Sequence, residues 1–212
     1  MRLFTGFVIS LVLCAMFIPG CKTDHRVLMK DTSQYADRSG KIPMMISLYV
    51  SPEARQYVIR HRIKSPFGGD TNVYKELVIG EALVPNASIS LGKIFYRVIV
   101  DEKVPSSQRY YVELAVDPKT TMDVGKFTMS KKVVDLYLLC QVKTKSGTVL
   151  WKKVISSKSV MENPGGWKTA YWRPAGTSAA NTKLQGAGEE SLRICLETLN
   201  DELMKNRARL FR

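Results

Sequence analysis

The chain has 212 residues and carries 32 Lys and Arg against 19 Asp and Glu, a formal net charge of +13. Its hydrophobic fraction of 45% matches an ordinary globular protein, which excludes a disordered or fibrous chain. The cationic excess points to anionic partners.

The N-terminus begins with the charged Met1-Arg2, followed by an apolar run without charge from Leu3 to Ile18. Pro19-Gly20-Cys21 ends the run, and the polar Lys22-Thr23-Asp24-His25 follows. This is the three-part pattern of an export signal. It is shorter than the roughly 20 apolar residues that span a bilayer as a helix. Ile18-Pro19-Gly20-Cys21 resembles the lipobox of bacterial lipoproteins, where cleavage falls before the cysteine and its sulfur receives a diacylglyceryl group. The resemblance implies lipidation of Cys21 and a membrane partner engaged through the N-terminal acyl chains. Lys22, where an aspartate would retain many lipoproteins in the inner membrane, implies the periplasmic face of the outer membrane. Export sets aside nucleic acid, the default partner of a basic cytosolic chain. Removing the signal takes away only Arg2, so the charge falls by one, from +13 to +12.

Three segments follow: a signal over 1–20, a lipidated cysteine with a flexible tether over 21–41, and one periplasmic domain over 42–212. The tether is polar. Fully extended, it spans at most about 70 Å, and as a flexible chain about 25 Å.

Within the domain, Met44 to Val50 predicts a central strand, with Ile46, Leu48 and Val50 on one face and Met45 and Tyr49 on the other. Ser51-Pro52-Glu53 predicts a helix start through an N-cap serine, a first-turn proline and a first-turn carboxylate. That helix is expected to run to about Arg60, before the turn-rich 65–70. Gly80 to Phe95 predicts a second helix from Leu83, Ala87, Leu91, Ile94 and Phe95, with Pro85 expected in its first turn. Strands are predicted at Tyr96–Val100, Tyr110–Val116 and Val133–Val142. Lys145-Ser146-Gly147-Thr148 then turns the chain into a return strand over Val149–Val160. Residues 161–183, rich in Asn, Pro, Gly, Ser, Thr and Ala, predict a long loop. Leu192, Cys195, Leu196, Leu199 and Leu203 mark a closing helix from about Glu189 to Arg209. Together these elements predict an α+β two-layer sandwich: a mainly antiparallel sheet of four to five strands with two or three helices on one face.

The stretch Ile42 to Arg55, the Gly80-Glu81-Ala82-Leu83 helix ending in Phe95, the Ser146-Gly147…Leu150-Trp151 hairpin and the closing helix resemble small envelope lipoproteins of the lipopolysaccharide-assembly (LptE-like) and YajG-like type. That resemblance implies a non-catalytic domain beside an outer-membrane protein, with basic side chains that meet lipid A phosphates. Accessory lipoproteins of ABC-type lipid-transport systems have a comparable order of elements and give the alternative reading.

No catalytic set is expected. His25 lies in the tether and His61 lies between Arg60 and Arg62, neither with a nucleophile and an orienting group. Asp101-Glu102 and Glu189-Glu190 are adjacent pairs, which do not face one another on a strand or helix. No Cys-x-x-Cys or metal spacing occurs, and no cofactor is expected. Cys140 and Cys195 both point inward, which suits either one disulfide or two buried thiols. Positive charge gathers around Arg55, Arg60, Arg62 and Lys64; around Lys126, Lys131 and Lys132; and around Lys205, Arg207, Arg209 and Arg212. The hairpin lysines Lys143, Lys145, Lys152 and Lys153, next to Trp151, are the preferred site for anionic lipid or lipopolysaccharide. Trp167, Tyr171, Trp172 and Arg173 in the long loop offer a second surface, for a protein partner.

Overall fold

A computed structural model of the chain describes residues 25–28, 40–64, 70–105, 107–124, 131–161 and 178–211. The signal, Cys21 and the loop residues Trp167, Tyr171, Trp172 and Arg173 lie outside the described residues.

The architecture is α+β, with helices laid on one face of a mixed sheet. The strand β2 (Ile42–Val50) buries Ile46, Leu48 and Val50 completely and lies between two parallel neighbours, β5 (Phe95–Asp101) and β6 (Tyr110–Val116). The longer β8 (Lys132–Thr144) pairs antiparallel with β6 along one end of the same edge and with the short β7 (Thr121–Asp123) along the other. On its far side β8 pairs with β9 (Val149–Met161), so β5 and β9 are the edges. Gly147, at φ +85°, makes the β8–β9 turn that the sequence predicts.

A second, three-stranded sheet has the order β1 (His25–Leu28), β4 (Asp70–Val78), β3 (Val58–Lys64). Strand β1 lies inside the segment read as a tether and pairs parallel with Lys75–Val78. The helix α1 spans only Pro52–Arg55: the Ser51 hydroxyl accepts from the Ala54 N–H at 3.2 Å as expected, but the helix stops there. The expected run to Arg60 is instead a turn leading into β3. The override is tertiary. Ile59 pairs with Leu77 in the core, while Arg60 turns outward to an ion pair with Glu76 at 2.7 Å.

Helix α2 (Gly80–Gly92) buries Ala82, Leu83, Ala87 and Leu91. Pro85 sits inside it rather than in its first turn. Its ring is on the exposed side, where water can serve the Glu81 carbonyl that loses its intrahelical donor. Gly80 sits where α2 meets α1: a Cβ there would overlap the carbonyl of Arg55.

Helix α3 (Ser178–Leu210) has 33 residues, about 50 Å of rise. It starts eleven residues before the expected Glu189, inside the segment read as loop. It lies across β8 and β9 with Leu184, Leu192, Cys195, Leu196, Leu199 and Leu203 in the core. Polar bonds fix its position: Ser191 Oγ donates to the Val134 carbonyl at 3.0 Å, and Ser157 Oγ donates to the Ser191 carbonyl at 2.6 Å. Asn200 Nδ2 reaches the Ser90 carbonyl of α2 at 2.9 Å. Phe211 closes the far end edge-on against Phe95 and Tyr110.

Gly80→Ala places a methyl against the α1 backbone and should lower unfolding stability by about 1–3 kcal/mol. Urea denaturation measures it; an unchanged midpoint would show that α1 moves freely away from α2.

Candidate functional site

Side chains of a strand alternate between faces, so adjacent lysines on one strand cannot converge. This separates the four hairpin lysines. Lys143 lies on the face away from the helices, in an ion pair with Glu113 at 2.5 Å; both side chains are mostly buried. Beside them Tyr111 is buried, and burial holds its hydroxyl above the ordinary tyrosine value, with Lys143 pulling it back down. Lys153 lies on the helix face and pairs with Glu202 of α3 at 3.0 Å. Lys152 lies opposite Gln141 on the outer face, and Lys145 sits exposed in the turn. Lys152 therefore has a different set of neighbours from the one the sequence suggests. Along β9 it shares the outer face with Leu150, Val154, Lys158 and Val160, and Val154 and Val160 are 45% and 43% exposed. Among the described residues Lys145, Lys152 and Lys158 make no ion pair. Asp135 of β8 lies opposite Lys158.

Part of the surface charge is matched within the chain. Arg193 on the exposed side of α3 bridges Glu190 and Glu197, each at 2.6 Å. Cys140 and Cys195 are buried free thiols. The Cys195 sulfur lies 3.8 Å from the carbonyls of Leu136 and Ile155, and burial pushes its pKa up to about 11, far from thiolate reactivity. Burial raises the Cys140 thiol as well. Among the described residues no three His, Cys, Asp or Glu side chains stand close enough to hold a metal ion, and no helix is long and apolar enough to cross a membrane.

A different group of cations comes together inside the fold. Lys75 of β4 and Lys132, the first residue of β8, are each 2% exposed. The Lys75 ammonium donates to the side-chain oxygen of Asn181 in the first turns of α3, and the Lys132 ammonium donates to the Val124 carbonyl. Burial lowers the pKa of Lys75 from the ordinary 10.5 to about 8, with repulsion from Lys132 as the second cause. Burial also lowers that of Lys132, with Asp123 raising it and Lys183 of α3 lowering it further. Sequence reasoning placed Lys132 in a surface turn cluster and passed over Lys75. The signal was there for Lys132: it begins the alternation Lys132-Val134-Leu136-Leu138-Cys140-Val142, and so falls on the buried face.

No protein-family model matches the chain, and no curated protein matches its sequence. Among solved structures, the chain shares its fold with protein XCC0632 from Xanthomonas campestris, described as DUF330. The TM-score is 0.52 at 11% identity, over 88% of this chain and 97% of that one. A minor lipoprotein from Acinetobacter baumannii also matches, at a TM-score of 0.38 and 10% identity over 78% and 91% of the two chains, too loosely to constrain the fold.

The buried ammonium of Lys75 makes stability depend on pH. Below about pH 8 it is charged in both folded and unfolded chains, and the folded state bears the full cost, about 3 kcal/mol. As pH rises from about 8 toward 10.5, the folded chain gives up its proton first and the cost fades. Lys75→Met should therefore raise stability near neutral pH by about 2–3 kcal/mol, with the gain shrinking by pH 10. Urea midpoints of both proteins across this range measure it. A gain independent of pH would mean that folded and unfolded chains hold the Lys75 proton equally, so that burial does not lower its pKa.

Proposed function

We propose that the chain is a lipid-anchored lipoprotein of the outer membrane, facing the periplasm and held by Cys21. It supports an envelope complex without catalysis and meets anionic lipid or lipopolysaccharide through its outer sheet face. The observation that carries this reading is the position of β1. Among the described residues pairing starts at His25, four peptide steps from Cys21, at most about 14 Å of chain. An anchor at Cys21 then holds the whole fold against the bilayer rather than letting it range on a long tether. Two acyl chains suffice for stable attachment without any spanning helix.

The outer face of β9 suits a bilayer surface: apolar side chains alternate with lysines that no carboxylate pairs off, apart from the nearby Asp135. A lysine near an anionic surface is worth about 1 kcal/mol. The alternative role, an accessory lipoprotein of an ABC-type lipid-transport system, shares the anchor and differs in partner. Crosslinking in intact cells separates them, with an outer-membrane protein as the expected product and an inner-membrane permease as the product of the alternative.

Two outcomes follow for the anchor and the face. Cys21→Ala should abolish acyl labelling and move the protein out of the membrane fraction; unchanged fractionation would rule out the cysteine as the anchor. On vesicles containing phosphatidylglycerol, Lys152→Glu and Lys145→Glu should each weaken binding by about fivefold or more. Lys153→Glu, which faces α3, should act on stability instead. Equal weakening by all three would leave no role for the outer face as such.

A further inference from the structure

The two edges of the large sheet differ in charge. Strand β9 carries only lysines, whereas β5 reads Phe95-Tyr96-Arg97-Val98-Ile99-Val100-Asp101, with one cation and one anion. Strand β5 pairs with β2 on one side, and among the described residues no strand covers the other. An open edge of this kind is a template for another strand. Val98 lies beside Ile46 and Val100 beside Leu48, so Tyr96, Val98 and Val100 stand on the helix-bearing face and Arg97, Ile99 and Asp101 on the other. The helix-side row is left uncovered at the edge: Tyr96 is 74% exposed and Val100 41%. Among the described residues neither Arg97 nor the Asp101 carboxylate makes an ion pair. Asp101 Oδ2 is buried with no hydrogen-bond partner. An unpaired buried carboxylate oxygen is costly, and a donor brought to the edge would let the carboxylate turn to it.

We propose that two copies of the chain pair through β5, antiparallel, about a two-fold axis at Ile99, so that their large sheets join into one. The segment Arg97-Val98-Ile99-Val100-Asp101 is complementary to itself about its centre. Directly opposite residues of an antiparallel pair share a face, so the axis of a symmetric pair passes through a residue. An axis at Ile99 sets Arg97 of each copy opposite Asp101 of the other, Val98 opposite Val100, and Ile99 opposite its own counterpart. Tyr96 then lies diagonal to Val100 of the other copy, within reach of an aromatic side chain. An axis at Val98 sets Arg97 opposite Ile99, and one at Val100 sets it opposite Lys103, so both ion pairs are lost. Strand β9 offers no such centre, because its charges have one sign. The edge depends neither on Cys21 nor on the lysines of the outer face, so its failure would leave the anchored-lipoprotein reading standing.

The test uses the full chain in density-matched detergent, with Cys14 and Cys21 replaced by serine so that only the buried thiols of Cys140 and Cys195 remain. Sedimentation equilibrium should show a concentration-dependent dimer. Arg97→Asp sets like charges against each other at both ends of the pair and should weaken dimerisation by about tenfold or more. Asp101→Arg should do the same. The two exchanges combined restore opposite charges in the same register and should restore the dimer, a rescue that a merely destabilised fold would not give. Opposite Cα atoms in an antiparallel pair stand about 4.5–5.5 Å apart, within disulfide reach. Ile99→Cys should therefore link two copies under mild oxidation, while Val149→Cys at the exposed start of β9 should not. A chain that stays monomeric leaves the edge to a strand of a different protein and overturns the proposal. It is equally overturned if the single exchanges leave the dimer unchanged, if the double exchange fails to restore it, or if Ile99→Cys links no faster than Val149→Cys.

Discussion

The fold depends on the alternation of β8. From Val134 to Val142 every second side chain (Val134, Leu136, Leu138, Cys140, Val142) is fully buried, and α3 lies on that stripe. The other elements take their places around it. On one edge β6 and β7 share the strand end to end, and on the other β9 runs its full length. Ser191 and Cys195 of α3 reach carbonyls on β8 itself, which fixes the helix along its axis as well as across the sheet. The same period of two carries Lys132 inside. Burying the four aliphatic side chains of the stripe is worth roughly 6–12 kcal/mol, more than the several kcal/mol that one buried ion costs. The strand can therefore hold a lysine at its first inward position and still fold.

This balance explains which elements were legible in the sequence. Strands β2, β6, β8 and β9 and the helices α2 and α3 show clear periods, because their apolar faces meet one shared core. The predicted α+β layering followed from those periods. The missed strands belong to the smaller sheet or to its junction. In β3, Ile59 and Ile63 alternate with Arg60 and Arg62, a period of two that the strong helix start at Ser51-Pro52-Glu53 obscured. The capping signal was correct about where α1 begins and carried no information about where it ends. In β1 and β7, three or four residues are too few to show any period. The early start of α3 went unread because Asn, Thr, Gly and Ser between 178 and 191 have weak helix propensity, and burial of Leu184 and Ala187 outweighs it.

The candidate sites show the same limit from the other side. Charge clustering along the sequence located the hairpin lysines but not the faces they occupy. Lys152 and Lys153 are neighbours in the chain and lie on opposite sides of the sheet, one exposed and one paired with Glu202. Lys75 and Lys132 are far apart in the chain and meet only because β4 and β8 both pack against α3. A count of nearby lysines cannot find such a pair. An inward-facing lysine in an alternating strand can, as it does for Lys132.

The two cationic features also differ in how they would answer to salt. Lys145, Lys152 and Lys158 are exposed, so their attraction to a charged surface fades over about 10 Å at moderate ionic strength. Lys75 and Lys132 are shielded from counterions by the fold around them, so their mutual repulsion is screened much less. The lysines of β9 have a further consequence for the edge. A 13-residue edge strand would otherwise offer its open backbone to a second copy. Pairing two such strands would bring Lys152, Lys153 and Lys158 of one against the same residues of the other. Charges on an edge strand count against such pairing, and Lys152 and Lys158 leave the outer face suited to an anionic surface.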